Sequence, residues 1–166
     1  MMERYKQRLT YFIAIFALLA VLSCLFNSYY SSDLDMTFKG YELAFGKKIA
    51  NITLGSLTYN IADLKLNIFA LLSYVLPLVS FILLGILRKN SIFITLLLLA
   101  SGILFIIVPN TAVMEISLPI IGTTSKEITL TRSDGNYIGM LGAFLGMCNS
   151  LYLFLMIKFK IIKRES

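Results

Sequence analysis

Two groups of residues in this sequence could do chemistry. Asp33-Leu34-Asp35 sets two carboxylates two positions apart, with Glu42 and Asp63 further along the same segment. Carboxylates so placed could serve as an acid/base pair or as oxygen ligands for a hard cation. Cys24 and Cys148 are the two thiols, and no CxxC pair is present. There is no histidine, so zinc sites, imidazole general bases and Ser-His triads lose their commonest member. No repeated oxygen-ligand loop accompanies Asp33 and Asp35, which read as a solvated loop. The sequence points to no catalytic residue, no cofactor and no metal site, and hence to a protein that is not an enzyme.

The thiols read two ways. Val21-Leu-Ser-Cys24 follows a basic N-terminus and an apolar run, as a bacterial lipoprotein signal does. Cys24 is then either lipidated, with the preceding segment removed, or a small thiol packed near the end of a retained helix. A Cys24–Cys148 bridge is not expected. The two positions differ in depth along their segments by roughly 12 Å at 1.5 Å per residue, against the about 7 Å between Cα atoms that a disulfide tolerates.

The elements that carry these residues are dictated by composition. The chain has 166 residues, 58% hydrophobic and 14% charged, with a mean hydropathy of +0.82. A soluble domain has roughly 45–50% apolar and about 25% charged residues. Four segments contain no Asp, Glu, Lys or Arg: Leu9 to Phe26, Asn67 to Leu87, Ser91 to Val108 and Tyr137 to Ile157. Each can cross a hydrocarbon core of about 30 Å as a helix, the only open-chain structure that satisfies its own backbone in lipid. The expected fold is a single membrane domain, 1–166: an all-α four-helix bundle with helices at about 9–27, 66–88, 91–108 and 136–158. Two outer loops, 28–65 and 109–135, lie between them.

Charge gives the orientation. Arg4, Lys6, Arg8, Arg88, Lys89, Lys158, Lys160, Lys163 and Arg164 flank one side of the spans, with Glu3 and Glu165. The two long loops carry six basic and seven acidic residues. The positive-inside rule then makes both termini and the Arg88-Lys89-Asn90 hairpin cytoplasmic in a multi-pass plasma-membrane protein. The net charge of +6 is thereby used on topology, and no nucleic-acid partner is expected.

The long loops alternate. Ile52, Leu54, Leu57, Tyr59 and Ile61 flank a Gly55-Ser56 break, and "KEITLTR" runs into a Ser-Asp-Gly turn signal. These read as strands of one small extracytoplasmic antiparallel sheet shared by both loops. "KGYELAFGKK", residues 39–48, reads as a further strand bounded by Gly40 and Gly46. Tyr41, Leu43 and Phe45 would share one face, with Glu42 and Ala44 on the other. Tyr41, Glu42 and Phe45 are candidates for a partner-binding cap. Asn51-Ile-Thr53 matches a glycosylation sequon.

Within the spans, Gly139, Gly142, Ala143 and Gly146 form overlapping small-xxx-small pairs. These residues let helix backbones approach closely, either inside the bundle or across a homo-oligomer or partner face. Pro77 interrupts the second span, a kink that Ser73 and Tyr74 could repair. Asn149 is the one strong polar group at mid-depth, and no intramembrane charge marks an ion-coupled transporter.

The layout of four helices, internal termini and a long strand-rich first loop resembles the claudin-type tetraspan arrangement in topology. The chain lacks the tryptophans and the cysteine pair of the claudin loop, so no junction or pore role carries over. "GYELAFG" followed by "LNIFALLSYVLPLVSFIL" is similar to small uncharacterised four-helix membrane proteins of low-GC bacteria over residues 38 to 108, a resemblance that implies the fold and no activity. The expected function is structural or accessory: a membrane protein in the lipid bilayer whose outer β cap binds another membrane or envelope protein. The alternative is a small transporter or channel subunit working as an oligomer, with Pro77, Asn149 and the glycines lining a path.

Overall fold

The structure is a computed structural model that describes residues 2–54, 57–87, 92–118 and 122–165. The Gly55-Ser56 break and the Arg88–Asn90 hairpin turn lie outside the described residues. In chain order the elements are α1 (Met2–Leu22), β1 (Asn27–Ser31), β2 (Met36–Lys39), α2 (Gly40–Phe45), β3 (Lys47–Leu54) and β4 (Leu57–Leu64). They continue with α3 (Ile68–Leu87), α4 (Ile92–Ile107), β5 (Val113–Leu118), β6 (Gly122–Glu127), β7 (Leu130–Arg132) and α5 (Asp134–Glu165). Short 3-10 turns, Ser23–Leu25 and Val108–Asn110, close α1 and α4.

Four helices, α1, α3, α4 and α5, are long and apolar enough to cross a membrane. They pack as a bundle, with α1 on α3 and α5, and α4 on α3 and α5. Helical structure outruns the apolar segments: α1 starts at Met2 rather than Leu9, and α5 continues to Glu165 rather than ending near 158. Hydropathy marks only where side chains are apolar, whereas backbone hydrogen bonding carries a helix on through charged turns. At its other end α1 stops short of the expected 27, because Asn27 already pairs with Lys39 in a sheet.

At one end of the bundle the intervening segments build a β cap of two antiparallel sheets, where the sequence suggested one. The first has the order β2-β1-β7 and the second β3-β4-β5-β6. Both loops do share the strands: β7 joins β1 through Tyr29↔Arg132 to Ser31↔Leu130, and β5 joins β4 through Ala62↔Ile116 to Leu64↔Met114.

The division into two sheets comes from residues 39–48, where the expected strand is a helix. Gly40–Phe45 forms α2, one and a half turns that separate the two hairpins. Its start is capped by Glu42, which accepts a 2.9 Å hydrogen bond from the Lys39 backbone N–H. Its end is set by Gly46, whose φ of +86° is open to glycine and costly to other residues. The buried set is Gly40, Leu43 and Ala44, while Tyr41 and Phe45 are exposed. That is a helical period, so the expected face of Tyr41, Leu43 and Phe45 does not form. Ser-Asp-Gly likewise begins α5 instead of a turn: the Ser133 carbonyl accepts from the N–H groups of Asn136 and Tyr137.

Cap and bundle share one core. Tyr29, Phe38, Leu43 and Leu64 from the cap cluster with Ala20, Ala70, Tyr74, Phe105 and Ala143 from the helices. A second cluster, with Leu9, Ile13, Ala17, Leu84, Ile94, Leu98 and Leu153, fills the end without the cap.

Candidate functional site

The polar side chains that matter lie where cap and bundle meet, and two prolines explain why. A proline has no N–H to give the carbonyl four residues earlier. Pro77, inside α3, therefore leaves the Ser73 carbonyl free, and Pro109 leaves that of Phe105 free. Ser101 of α4 donates to the Ser73 carbonyl at 2.7 Å. Asn136 of α5 donates to the Phe105 carbonyl at 3.1 Å. The repair at Pro77 thus comes from the neighbouring helix. Ser73 uses its own hydroxyl on the Ala70 carbonyl, and the Tyr74 hydroxyl makes no hydrogen bond within the structure.

Asn136 does more than cap. Its amide also donates to the Tyr29 hydroxyl at 2.9 Å, so one side chain ties α5 to α4 and to β1. Arg132, at the end of β7, donates to the Ile106 carbonyl at 2.8 Å and covers the next open group of α4. Asn67 does the equivalent at α3. Its carbonyl oxygen accepts from the N–H groups of Phe69 and Ala70, an N-cap, while its amide donates to the Thr111 carbonyl and hydroxyl at 3.0 Å. Its backbone N–H donates to the Leu43 carbonyl of α2. Two asparagines, each at the boundary of an apolar segment, thus fasten the cap to three helices.

The centre of the junction is buried. Tyr29 and Asn136 are both 0% exposed. Burial pushes the Tyr29 phenol up to about 12, with the Asn136 hydrogen bond and the Arg132 charge pulling partly back. Tyr29 is therefore neutral at ordinary pH and acts as a hydrogen-bonding group, not as a base. Tyr74 stacks edge-on to Phe105, with ring centroids 5.1 Å apart, under the start of α2. A Cβ on Gly40 would run into the Tyr74 hydroxyl and come within 2.8 Å of the Cys24 Cα, which is why glycine starts that helix.

The residues singled out by sequence go to separate places. Gly139, Gly142, Ala143 and Gly146 face the chain's own helices. A Cβ on Gly142 would meet the Phe16 carbonyl at 2.9 Å, and one on Gly146 would meet Leu98 at 3.2 Å. Ala143 is fully buried. Tyr41 and Phe45 lie open on α2. Glu42 is held: its carboxylate pairs with Lys47 Nζ at 2.7 Å besides capping α2. Burial pushes its carboxyl up, but Lys47 and Lys39 outweigh burial and hold it below its usual range. Asp33 and Asp35 sit in the β1–β2 turn, where Asp35 accepts from the Tyr30 hydroxyl at 2.9 Å. Cys24, half-buried, and Cys148, exposed, are free thiols. Asn149 donates to the Leu145 carbonyl of its own helix, while Thr95 and Ser150 join α4 to α5 at 2.7 Å. Among the described residues no group of three or more Cys, Asp or Glu could hold a metal ion.

Sequence reasoning passed over Asn67, Asn136 and Tyr29, and it saw Ser101 only as one of several polar residues within the spans. The signal was present in the prolines: each names a carbonyl, four residues earlier, that some donor must reach.

Fold and site together define a four-helix chain, suited by length and apolarity to a membrane, with a β cap fastened to its helix ends. Neither a protein-family model, nor a curated protein, nor a solved structure matches it.

Proposed function

We propose that this chain is a multi-pass membrane protein of structural or accessory type. Both termini are cytoplasmic, and the β cap faces outward to bind another envelope protein. The observation that carries this reading is the arm formed by β3 and β4. The two strands pair from Lys47↔Leu64 to Leu54↔Leu57, yet among the described residues β4 joins β5 only over Ala62 to Leu64. Beyond that base the hairpin pairs with itself. Residues 49–61 contain no charge, and apolar Ile52, Leu54, Leu57 and Tyr59 alternate in the sequence with polar Asn51, Thr53, Thr58 and Asn60. An uncharged, β-rich edge invites pairing by another chain, and proteins ordinarily guard such edges with charge. On the far side of the same sheet, all of β6 is exposed. Tyr41 and Phe45 on α2 are exposed in the same cap, while the small residues of α5, turned inward, leave any homo-oligomer to use other faces.

A photo-crosslinking residue at Thr58, in native membranes, tests the partner. The expected result is one discrete adduct that is missing when the crosslinker replaces Tyr11. Identical adducts from both positions, or none from Thr58, would overturn the docking reading. Orientation is tested separately by Ser125→Cys and Glu165→Cys in a chain with Cys24 and Cys148 replaced. A membrane-impermeant thiol reagent on intact cells should label the first and spare the second.

A further inference from the structure

We infer that the end of the bundle opposite the cap is a binding surface for the headgroup phosphates of anionic phospholipids; this rests on the membrane reading above. The bundle sets α1 against α5, and Leu9 of α1 shares a cluster with Leu153, Met156 and Ile157 of α5. The start of α1 and the end of α5 therefore lie side by side. The sequence places Arg4 and Arg8 on the first, and Lys158, Lys160, Lys163 and Arg164 on the second, with Glu3 and Glu165 as the acidic residues.

Two observations point to a lipid surface. The first is length. α5 has 32 residues, about 48 Å at 1.5 Å per residue, against a hydrocarbon core of about 30 Å. Its uncharged stretch ends at Ile157 in the sequence, and Lys158, Lys160, Lys163 and Arg164 follow directly, so its basic turns fall where headgroups lie. Beside them Tyr5, Tyr152 and Phe159 are exposed, an aromatic rim typical of a membrane interface. The second is the helix dipole. Basic residues suit the C-terminus of α5, but Arg4 and Arg8 sit in the first turns of α1, where the dipole is already positive and cations are disfavoured. An anionic surface removes that conflict. Clusters of four to eight basic residues next to a membrane helix bind acidic lipids by this electrostatic route. An RNA or acidic protein could also meet positive charge, but neither accounts for charge seated at the rim of an apolar belt.

The test uses the full chain reconstituted into nanodiscs of equal parts phosphatidylcholine and phosphatidylglycerol, with retained lipids counted by native mass spectrometry. Wild type should retain phosphatidylglycerol well above its share of the mixture. A basic residue near an anionic surface contributes up to roughly fivefold, so K158Q/K160Q/K163Q/R164Q should lower the ratio by at least tenfold. K48Q/K126Q, in the cap, should leave it unchanged. Raised salt should erode the wild-type preference, whereas added inorganic phosphate at the same ionic strength should do no more than salt does. If the quadruple variant fails to incorporate, R4Q/R8Q neutralises the other helix and should lower the ratio by itself. A wild-type ratio equal to the mixture, or an equal loss in the cap variant, overturns the inference while leaving the membrane reading standing. Failure of wild type to enter any nanodisc overturns both.

Discussion

The two sheets of the cap are built from similar sequence and do different work. In the β2-β1-β7 sheet, Ser28, Tyr29, Ser31, Phe38 and Leu130 are buried, and the strands rest on helix ends. In the β3-β4-β5-β6 sheet Ala62, Leu64 and Met114 enter the core, with Ile49 and Ile116 packed against it, and β6 is exposed along its whole length. Both sheets alternate and both draw strands from both loops. They differ in what lies beneath. The first covers α4 where Pro109 has left an open carbonyl, so Asn136, Tyr29 and Arg132 have partners to find. The second is tied at its base by the ion pairs Lys47–Glu42 and Lys65–Glu115 instead. Unmet backbone groups, more than strand propensity, decide which sheet is sealed.

The contrast can be broken hardest at Asn136. Asn136→Ala strands the Phe105 carbonyl and removes the partner of the Tyr29 hydroxyl, at about 3 kcal/mol for two buried groups. Unfolding of the protein in lipid or mild detergent should show it as a lower midpoint. Alkali should attack the same spot. Tyr29 titrates near 12 when folded and near 10 when unfolded, so its contribution is complete below pH 10 and is lost as pH rises through 12. That window is worth about 2–3 kcal/mol, and Tyr29→Phe should lose less stability than wild type between those pH values.

Asn67→Ala removes an N-cap together with the link to Thr111, about 2 kcal/mol by the usual worth of such caps. Ser101→Ala, which leaves the Ser73 carbonyl open again, should cost about 1 kcal/mol, since hydrogen bonds between membrane helices are individually modest. At the small end lies the projecting arm. Shortening it by joining Asn51 to Asn60 through an Asn-Gly turn should shift stability by no more than about 0.5 kcal/mol, the range of changes away from a core. A large loss of stability there would mean that the arm is packed as tightly as the junction, and the contrast would fail.

Acid probes the boundary between the two sheets. Glu42 has a lowered carboxyl pKa when folded, so its contribution is present above the ordinary carboxylate value and fades as pH falls through the lowered one. The unhooking of α2 from Lys39 and Lys47 should therefore appear as a small loss confined to acid and absent in Glu42→Gln.

Much of this molecule follows from sequence alone. Four uncharged segments of about 18 to 21 residues determine four helices, because apolar side chains at that length have one stable backbone arrangement in lipid. Alternation over 52–61 signals strands, because a period of two matches the pleat, whereas Lys126–Arg132, alternating in the same way, is divided between β6 and β7 in different sheets. Residues 40–45 escaped, since Tyr41, Leu43 and Phe45 fit a period of two as well as Gly40, Leu43 and Ala44 fit a period of 3.6. Six residues are too few for periodicity to discriminate, and the choice fell to Glu42 capping, Gly46 and the space above Tyr74. The glycines of α5 could be recognised as contact residues, but only the packed bundle shows that Phe16 and Leu98 fill the space beside them. Asn67 and Asn136 are plain polar residues in the sequence. Their importance comes from the Thr111 carbonyl and the open N–H groups at the start of α3, and from the Phe105 carbonyl left free by Pro109, groups brought together only once the chain is folded.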